Sequence, residues 1–185
     1  MVRTAFLLLG LTICSPRISF GQAGAIGTYA DPGGIECNVT DNVPGLMPVY
    51  VVHTIAPGAT ASQFAAPMPA CMLGAVYLSD SQVFPVTIGN SQDGVAIGYG
   101  VCLASPIHVL TINYFGNGGT TTCCMYAVVP DPNAPSGRIE VVDCGGPLAF
   151  GTGLVHPVNA DANCNCQPAV LETTWGRLKS LYGRD

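Results

Sequence analysis

Short runs of apolar, β-branched and aromatic residues recur along the middle of the chain. Such residues favour β-strands, and no long stretch with helical periodicity lies between the runs. Turn-forming residues separate the later runs, at Asn117-Gly-Gly119 and at 130–133. This spacing predicts an all-β fold, an antiparallel β-sandwich. The predicted strands are 47–55, 84–88, 95–103, 107–115, 123–129 and 138–144.

Two of these strands are predicted to form a hairpin around a six-residue loop, Gly89–Gly94. The second strand alternates between large and small residues, so its two faces differ in character. The small face favours close approach by another backbone or ring. The large residues, expected to face the core, are Val95, Ile97, Tyr99, Val101 and Leu103. The small residues are Ala96, Gly98, Gly100 and Cys102.

Two segments have features of helices. Ala59–Ala66 is rich in alanine with Thr60 as an N-cap, which predicts a short helix. Thr174 is a second N-cap, and the nine-residue segment that it begins places Trp175, Leu178 and Leu181 or Tyr182 on one face. This C-terminal segment is interpreted as a short helix packed on the sandwich. A docking or sorting tag and a disordered end are the alternatives.

The first 21 residues have the pattern of a secretory signal peptide. The basic Arg3 precedes the apolar stretch Ala5–Ile13, and small residues follow at Gly21 and Ala23. The stretch has about half of the roughly 20 residues that span a bilayer, so it predicts cleavage rather than anchoring. A lipoprotein signal ending at Cys14 fits less well, because Ile13 is not small. We expect a signal peptide at 1–21, a sandwich domain at 22–167, and a tail at 168–185 that carries the short amphipathic helix. We also expect export to the cell surface, periplasm or medium without membrane insertion.

Removal of residues 1–21 leaves eight cysteines. An even number in an exported chain predicts disulfides, of which eight cysteines allow 105 pairings. Adjacent Cys123 and Cys124 would point to opposite faces of a strand and are expected to bond different partners. Cys164 and Cys166 would share a face and tie the end of the chain to the body. The predicted disulfide cysteines are Cys37, Cys71, Cys102, Cys123, Cys124, Cys144, Cys164 and Cys166.

The chain carries few charges, and most of them are negative. Charged residues make up 9% of the sequence, and all 11 acidic residues follow residue 30. Four basic residues remain after removal of 1–21, which gives a net charge of −7. Arg138 is the only basic residue between Gln22 and Gly176. Nucleic acids and anionic membranes are bound by clustered Lys and Arg, so the sequence excludes these partners.

Three segments carry a resemblance to known proteins. Val49–Phe64, Ile139–Cys144 and Thr173–Gly183 resemble a group of uncharacterised exported proteins of environmental bacteria. Within the first segment, Pro57-Gly-Ala-Thr-Ala-Ser-Gln-Phe64 is similar to the way cohesin-like and immunoglobulin-like surface modules enter their sandwich. The resemblance implies an exported protein with a cohesin-like or immunoglobulin-like β-sandwich. It implies no activity and no catalytic residues.

Nothing in the sequence points to a catalytic site. Ser91 departs by one residue from the Gly-x-Ser-x-Gly nucleophile motif and lies in the predicted hairpin loop. His53 lies within a predicted strand, and His108 shares a strand face with Leu110, Ile112 and Tyr114, so both are interpreted as strand residues. The spacing of Glu36, Asp80, Glu140 and Asp143 singles out no carboxylate pair for glycoside hydrolysis. We therefore expect no enzyme and no resident cofactor.

Two groups of candidate metal ligands lie near the C-terminus. A zinc site would need Cys164 and Cys166 as thiolates, and both are expected to be oxidised. Oxygen ligands at Asp161, Asn163 and Asn165, followed by Glu172, match positions 1, 3, 5 and 12 of a Ca²⁺ loop. Cys166 stands where that loop needs its turn-forming glycine. A cysteine-rich turn capped by Asx side chains is the preferred interpretation.

Two classes of function remain. The first is a non-catalytic structural or adhesive module of the cell envelope or of the medium, which would contact an envelope protein or a glycan. The second is an extracellular module that binds carbohydrate or another exposed ligand. The second class needs aromatic side chains aligned on one exposed sheet face. Its candidates are Tyr50, Tyr77, Tyr99, Tyr114 and Tyr126.

Overall fold

The computed structural model describes residues 23–165, which form twelve strands and contain no helix. In this part of the chain, therefore, no helix is long and apolar enough to cross a membrane. The predicted signal peptide at 1–21, the C-terminal helix and the tail at 168–185 lie outside the described residues. The strands are β1 (Ala25–Tyr29), β2 (Pro44–Thr54), β3 (Ala59–Phe64), β4 (Val76–Gln82), β5 (Val86–Asn90), β6 (Gly94–Leu103), β7 (Ile107–Asn117), β8 (Cys124–Ala127), β9 (Glu140–Asp143), β10 (Leu148–Phe150), β11 (Thr152–Gly153) and β12 (Val155–Val158).

The strands are arranged in two five-stranded sheets and a two-stranded ribbon. The first sheet has the order β11-β1-β2-β7-β4, the second has the order β10-β9-β3-β6-β5, and the ribbon pairs β12 with β8. β1 and β11 run parallel, and the other pairs of named strands are antiparallel. Neither sheet closes on itself. The predicted all-β, antiparallel fold is confirmed.

One hydrophobic core lies between the two sheets, because alternate side chains of each strand point inward. The ribbon completes it with Tyr126 and Val158. Core residues of the first sheet include Ile26, Val49, Val51, Leu110 and Ile112, and those of the second include Phe64, Val95, Ile97 and Val141.

Two groups of buried hydroxyls cross this core. The Tyr99 hydroxyl on β6 lies 2.8 Å from Ser62 Oγ and 3.3 Å from His53 Nδ1, so it joins the second sheet to the first. The hydroxyls of Tyr114 and Tyr126 lie 2.6 Å apart and join β7 to the ribbon. An unpaired buried polar group costs about 1–3 kcal/mol, so these contacts favour one arrangement of the layers.

The helix predicted at Ala59–Ala66 is wrong, because residues 59–64 form strand β3. β3 lies inside the second sheet and pairs with β6 on one side and with β9 on the other. Phe64 and Ser62 point into the core. The helix propensity of alanine is worth only tenths of a kcal/mol per residue, and pairing along both edges outweighs it.

Bulges overturn two other predictions. Gly100 has a positive φ of 79°, and the register of β6 against β3 shifts at this point. The alternation therefore breaks, and Val101, predicted to face the core, is 61% exposed. The pairing of β2 with β7 shifts in the same way between Val51 and Val52. His108 consequently does not share the buried face of Leu110.

Disulfides tie the strands together. The pairs between described residues are Cys71–Cys124, Cys102–Cys144 and Cys123–Cys164. Cys37 is disulfide-bonded as well, and Cys166 lies outside the described residues. Adjacent Cys123 and Cys124 bond different partners, as predicted. The Cys102–Cys144 bond passes the start of β3, where a Cβ on Gly58 would lie 2.6 Å from Cys144 Sγ, so glycine is needed there.

Candidate functional site

The outer face of the second sheet carries two rows of side chains that cross all five strands. The first row, from β10 to β5, is Leu148, Val142, Ala61, Gly98 and Val86. The second row is Phe150, Glu140, Gln63, Ala96 and Ile88. The first row is wholly apolar. We call the surface formed by these ten residues the groove.

The groove is concave because three residues of its inner strands are small, whereas the residues of its outer strands are large. Ala61, Ala96 and Gly98 form the floor, and a cavity of about 170 Å³ lies above it. On the β5 side the wall is made by Val86 and Ile88, which are 56% and 72% exposed. Leu148 and Phe150 stand on the opposite side, on β10. Contiguous exposed apolar surface of this kind is typical of binding sites.

A few polar groups at the centre and edge of the groove are held in place. The Gln63 side chain donates a hydrogen bond from Nε2 to Asp131 Oδ2 at 2.8 Å. Asp131 is buried and also accepts a hydrogen bond from the backbone N–H of Asn133, so the amide of Gln63 is fixed. Glu140 lies beside Gln63 in the second row. At the edge, the Arg138 guanidinium lies 4.1 Å from the centre of the Phe150 ring.

The sequence carried part of the signal for this surface. The small face of the second hairpin strand was expected to receive another backbone or ring, and two of its residues, Ala96 and Gly98, form the groove floor. The wall on β10 was missed, because strand β10 has only three residues and carries no alternation.

The tyrosines proposed as a carbohydrate platform do not form one. Tyr99, Tyr114 and Tyr126 are at most 4% exposed and belong to the core. Tyr50 and Tyr77 are partly buried, each in edge-on contact with another ring, His108 and Tyr114 respectively. Residues 23–165 therefore contain no row of exposed tyrosines.

The histidines serve the fold rather than the groove. Nε2 of His53 donates to the Ala23 carbonyl and Nδ1 of His156 donates to the Thr28 carbonyl, each at 2.7 Å. Both bonds hold backbone in or beside β1. Burial lowers the pKa of His53 and of His156, and the hydrogen bonds to the carbonyls only partly oppose this. Burial also lowers the pKa of His108, which contacts Thr111 on the outer face of the first sheet.

Acidification is therefore expected to destabilise the protein as these histidines become protonated. Their pKa values are lower in the folded chain than the ordinary value of about 6.5, so the unfolded chain binds protons first. The stabilising contribution is complete above pH ~6.5 and is lost as the pH falls below that value. We expect the free energy of unfolding, measured by denaturant titration, to fall between pH 7.5 and pH 5.5. Histidine NMR titrations with pKa values at or above 6.5 would contradict this explanation.

The nucleophile candidates in the described part of the chain are buried, and their hydroxyl groups already form hydrogen bonds. Ser91 is fully buried, and both its backbone N–H and its hydroxyl donate to the Asp80 carboxylate. Ser62, Tyr99 and His53 form a hydrogen-bonded group, but they lie at most 4% exposed inside the core. A substrate cannot reach them there.

Of the C-terminal metal candidates, Asp161 and Asn163 interact within a turn. Asp161 accepts a hydrogen bond from the Asn163 backbone N–H at 2.7 Å, which is the Asx turn expected as the alternative to a Ca²⁺ loop. Cys123, Asp161 and Cys164 converge, but the two sulfur atoms form a disulfide and are not thiolate ligands. Asn165 is exposed, and Glu172 lies outside the described residues. The Ca²⁺ loop stays the less favoured alternative.

Comparison with known proteins gives a structural likeness only. No protein-family model and no curated protein sequence matches the chain. A cohesin module from a family 33 glycoside hydrolase of Clostridium perfringens has 5% identity and a TM-score of 0.47, covering 76% of this chain and 99% of that one. The third cohesin of ScaC from Acetivibrio cellulolyticus, solved with a ScaB dockerin, has 12% identity and a TM-score of 0.41, covering 72% and 97%. A cohesin from scaffoldin B of the same organism, solved with a Cel5 dockerin, has 10% identity and a TM-score of 0.41, covering 74% and 98%. The chain is thus similar in outline to cohesin modules, and no function is transferred from them.

Proposed function

We propose that this protein is a non-catalytic module that binds another protein through the groove. The observation that carries the proposal is the wholly apolar first row, which crosses five strands on an exposed sheet face. Burial of such a row contributes about 25 cal/mol for each Å² of apolar surface removed from water. The fixed amide of Gln63 and the carboxylate of Glu140 would select partners that place hydrogen-bond donors over the centre.

The composition of the groove favours a protein over a sugar. Carbohydrate sites use exposed aromatic rings together with many hydrogen-bonding groups, whereas the groove has aliphatic walls and a floor of alanine and glycine. A partner side chain or a helix ridge fits between such walls. Phe150 is the one aromatic residue of the groove, and the Arg138 guanidinium already covers its ring.

The place of action that we propose is outside the cytoplasm, in the envelope or the surrounding medium. Disulfides persist in oxidising compartments and are rare in the cytosol, and this domain has three within residues 23–165 as well as that of Cys37. The predicted signal peptide agrees with this location. A domain that is cross-linked by disulfides and carries few charges suits a structural or adhesive role there.

Introducing negative charge into the groove is expected to weaken partner binding at least tenfold. Val86→Asp and Ile88→Asp each place a carboxylate on an exposed wall, so the fold should be retained within about 0.5 kcal/mol. Burying that charge in an apolar interface should weaken binding at least tenfold, equivalent to about 1.4 kcal/mol. The measurement is photo-crosslinking in the producing organism, with a benzophenone amino acid at position 88, followed by titration of the identified partner against each variant.

Val155→Asp is the matched control, because Val155 is a similarly exposed valine, 49% against 56% for Val86, on a strand outside both sheets. It should bind like the unmodified protein. Two results would overturn the proposal. One is a partner affinity that the groove variants leave unchanged, and the other is saturable binding on a glycan array that survives both variants.

A further inference from the structure

A second apolar surface lies on the opposite side of the sandwich, on the outer face of the first sheet. Leu46 on β2 stands directly opposite Phe115 on β7, which in turn stands opposite Val76 on β4. These side chains are 76%, 45% and 55% exposed, respectively. Directly opposed residues of neighbouring strands project on the same face, so the three form one row across three strands.

Two further exposed apolar residues lie near this row, at the same end of the sheet. Val43, which is 73% exposed, immediately precedes β2. Leu73 is 57% exposed, and its backbone lies against Gly119, two residues beyond β7. We call the five residues the terminal patch: Val43, Leu46, Leu73, Val76 and Phe115.

The last described residues lie at the same end of the molecule as the terminal patch. Cys164 is bonded to Cys123, whose backbone N–H donates to the Asn159 carbonyl. The Asn159 side chain accepts a hydrogen bond from the Asp41 N–H at 2.8 Å. Asp41 is two residues before Val43, at the start of the patch. The chain therefore leaves the described residues at the same end of the molecule as this surface.

The segment that follows has the length and pattern to cover the patch. Residues 166–173 can span up to about 26–29 Å when extended. Leu46 is only five residues from Asp41, and five residues span at most about 18 Å. The linker is therefore long enough to reach the row. The predicted helix Thr174–Tyr182 would be about 13 Å long. Three neighbouring strands span about 10 Å between the outer two, so one face of such a helix matches the row in size.

We propose that the C-terminal segment Thr174–Tyr182 docks on the terminal patch of its own chain. The segment lays its apolar face on the row formed by Leu46, Phe115 and Val76. That face consists of Trp175, Leu178 and either Leu181 or Tyr182. Arg177 and Lys179 flank this face in the helical pattern, so their charged ends can stay in water. Docking closes one apolar face of the sandwich and leaves the groove on the other sheet as the open one.

Trp175 reports on this contact directly, since it is the only tryptophan in the chain. In the full chain, docking should move the emission maximum of Trp175 to a shorter wavelength than in the free peptide 168–185. It should also reduce the quenching of Trp175 by acrylamide several-fold. Leu46→Asp with Phe115→Asp should return both signals to those of the free peptide. Because both side chains are exposed, the domain should remain folded, which far-ultraviolet circular dichroism checks.

Ile88→Asp in the groove is the matched control and should leave the fluorescence of Trp175 unchanged. The proposal is overturned if Trp175 in the full chain matches the free peptide. It is overturned as well if the patch variant leaves Trp175 protected, or if Ile88→Asp exposes it. Protection that disappears on dilution, with dimers seen by light scattering, would place the segment on a second copy and contradict docking on its own chain. None of these results depends on whether the groove binds a partner.

Discussion

Replacing Cys71 and Cys124 together by alanine is expected to lower the free energy of unfolding by about 4 kcal/mol or more. The bond closes a loop with a sequence separation of 53 residues, and a chain that is no longer cross-linked gains about 4 kcal/mol of loop entropy on unfolding. Cys124 is also 2% exposed and belongs to the core, so its loss removes packing as well. Equilibrium unfolding in guanidinium chloride measures the change.

The Cys102–Cys144 bond provides the matched comparison. Its sequence separation is 42 residues, so the entropic contribution is nearly the same, but both cysteines are exposed. Replacing this pair by alanine should therefore cost less than replacing the core pair, by the packing that Cys124 supplies. An equal or larger loss for the exposed pair would show that burial of Cys124 contributes nothing.

Asp41→Ala is expected to destabilise the protein by about 3 kcal/mol or more, because it leaves buried donors without partners. The Asp41 carboxylate is 2% exposed and accepts hydrogen bonds from Gly118 N at 2.9 Å, Thr120 N at 3.3 Å and Thr120 Oγ1 at 2.6 Å. Hydrogen bonds to a charged group contribute about 1.5–3 kcal/mol each. The Asn159 side chain bonds the backbone of Asp41 and of Thr120, so three segments of the chain meet around Asp41.

Asp31→Ala is the matched control for Asp41→Ala. The Asp31 carboxylate also accepts three backbone hydrogen bonds, from Gly33, Ile35 and Glu36. The bonds from Ile35 and Glu36 lie at the surface, where water can replace the carboxylate as the acceptor. We expect a loss well below that of Asp41→Ala, measured by the same denaturant titration. If the two variants lost equal stability, burial would not explain the importance of Asp41.

Much of the strand content could be predicted from local sequence, because half-buried strands alternate with a period of two. The long runs that became β2, β5, β6 and β7 were placed within a few residues. β5 and β6 form the predicted hairpin, with Asn90 paired to Gly94 and therefore a tighter loop than the six residues expected. β1 was missed because all five of its residues are buried, so a strand of this kind shows no alternation.

The sequence-based predictions were wrong where pairing between distant segments decides the secondary structure or the exposure of a side chain. Residues 59–64 became a strand because two partners, β6 and β9, lie far away in the chain. The bulge at Gly100 exposes Val101. A glycine within a predicted strand is compatible with a bulge and with a regular strand, so the sequence alone does not distinguish the two. The groove required a register across five strands, and no single run of sequence contains that information.

Adjacent Cys123 and Cys124 have a consequence for how this protein can be produced. Their correct partners lie in opposite directions along the chain, Cys71 being 53 residues before Cys124 and Cys164 being 41 residues after Cys123. In the unfolded chain, Cys71 meets either neighbour with nearly equal probability, since their Cα atoms are about 3.8 Å apart. Only the formed strand β8 distinguishes them, by directing Cys124 inward. An oxidant alone would therefore trap mispaired chains, and the yield of native protein depends on thiol–disulfide exchange that continues until β8 has formed.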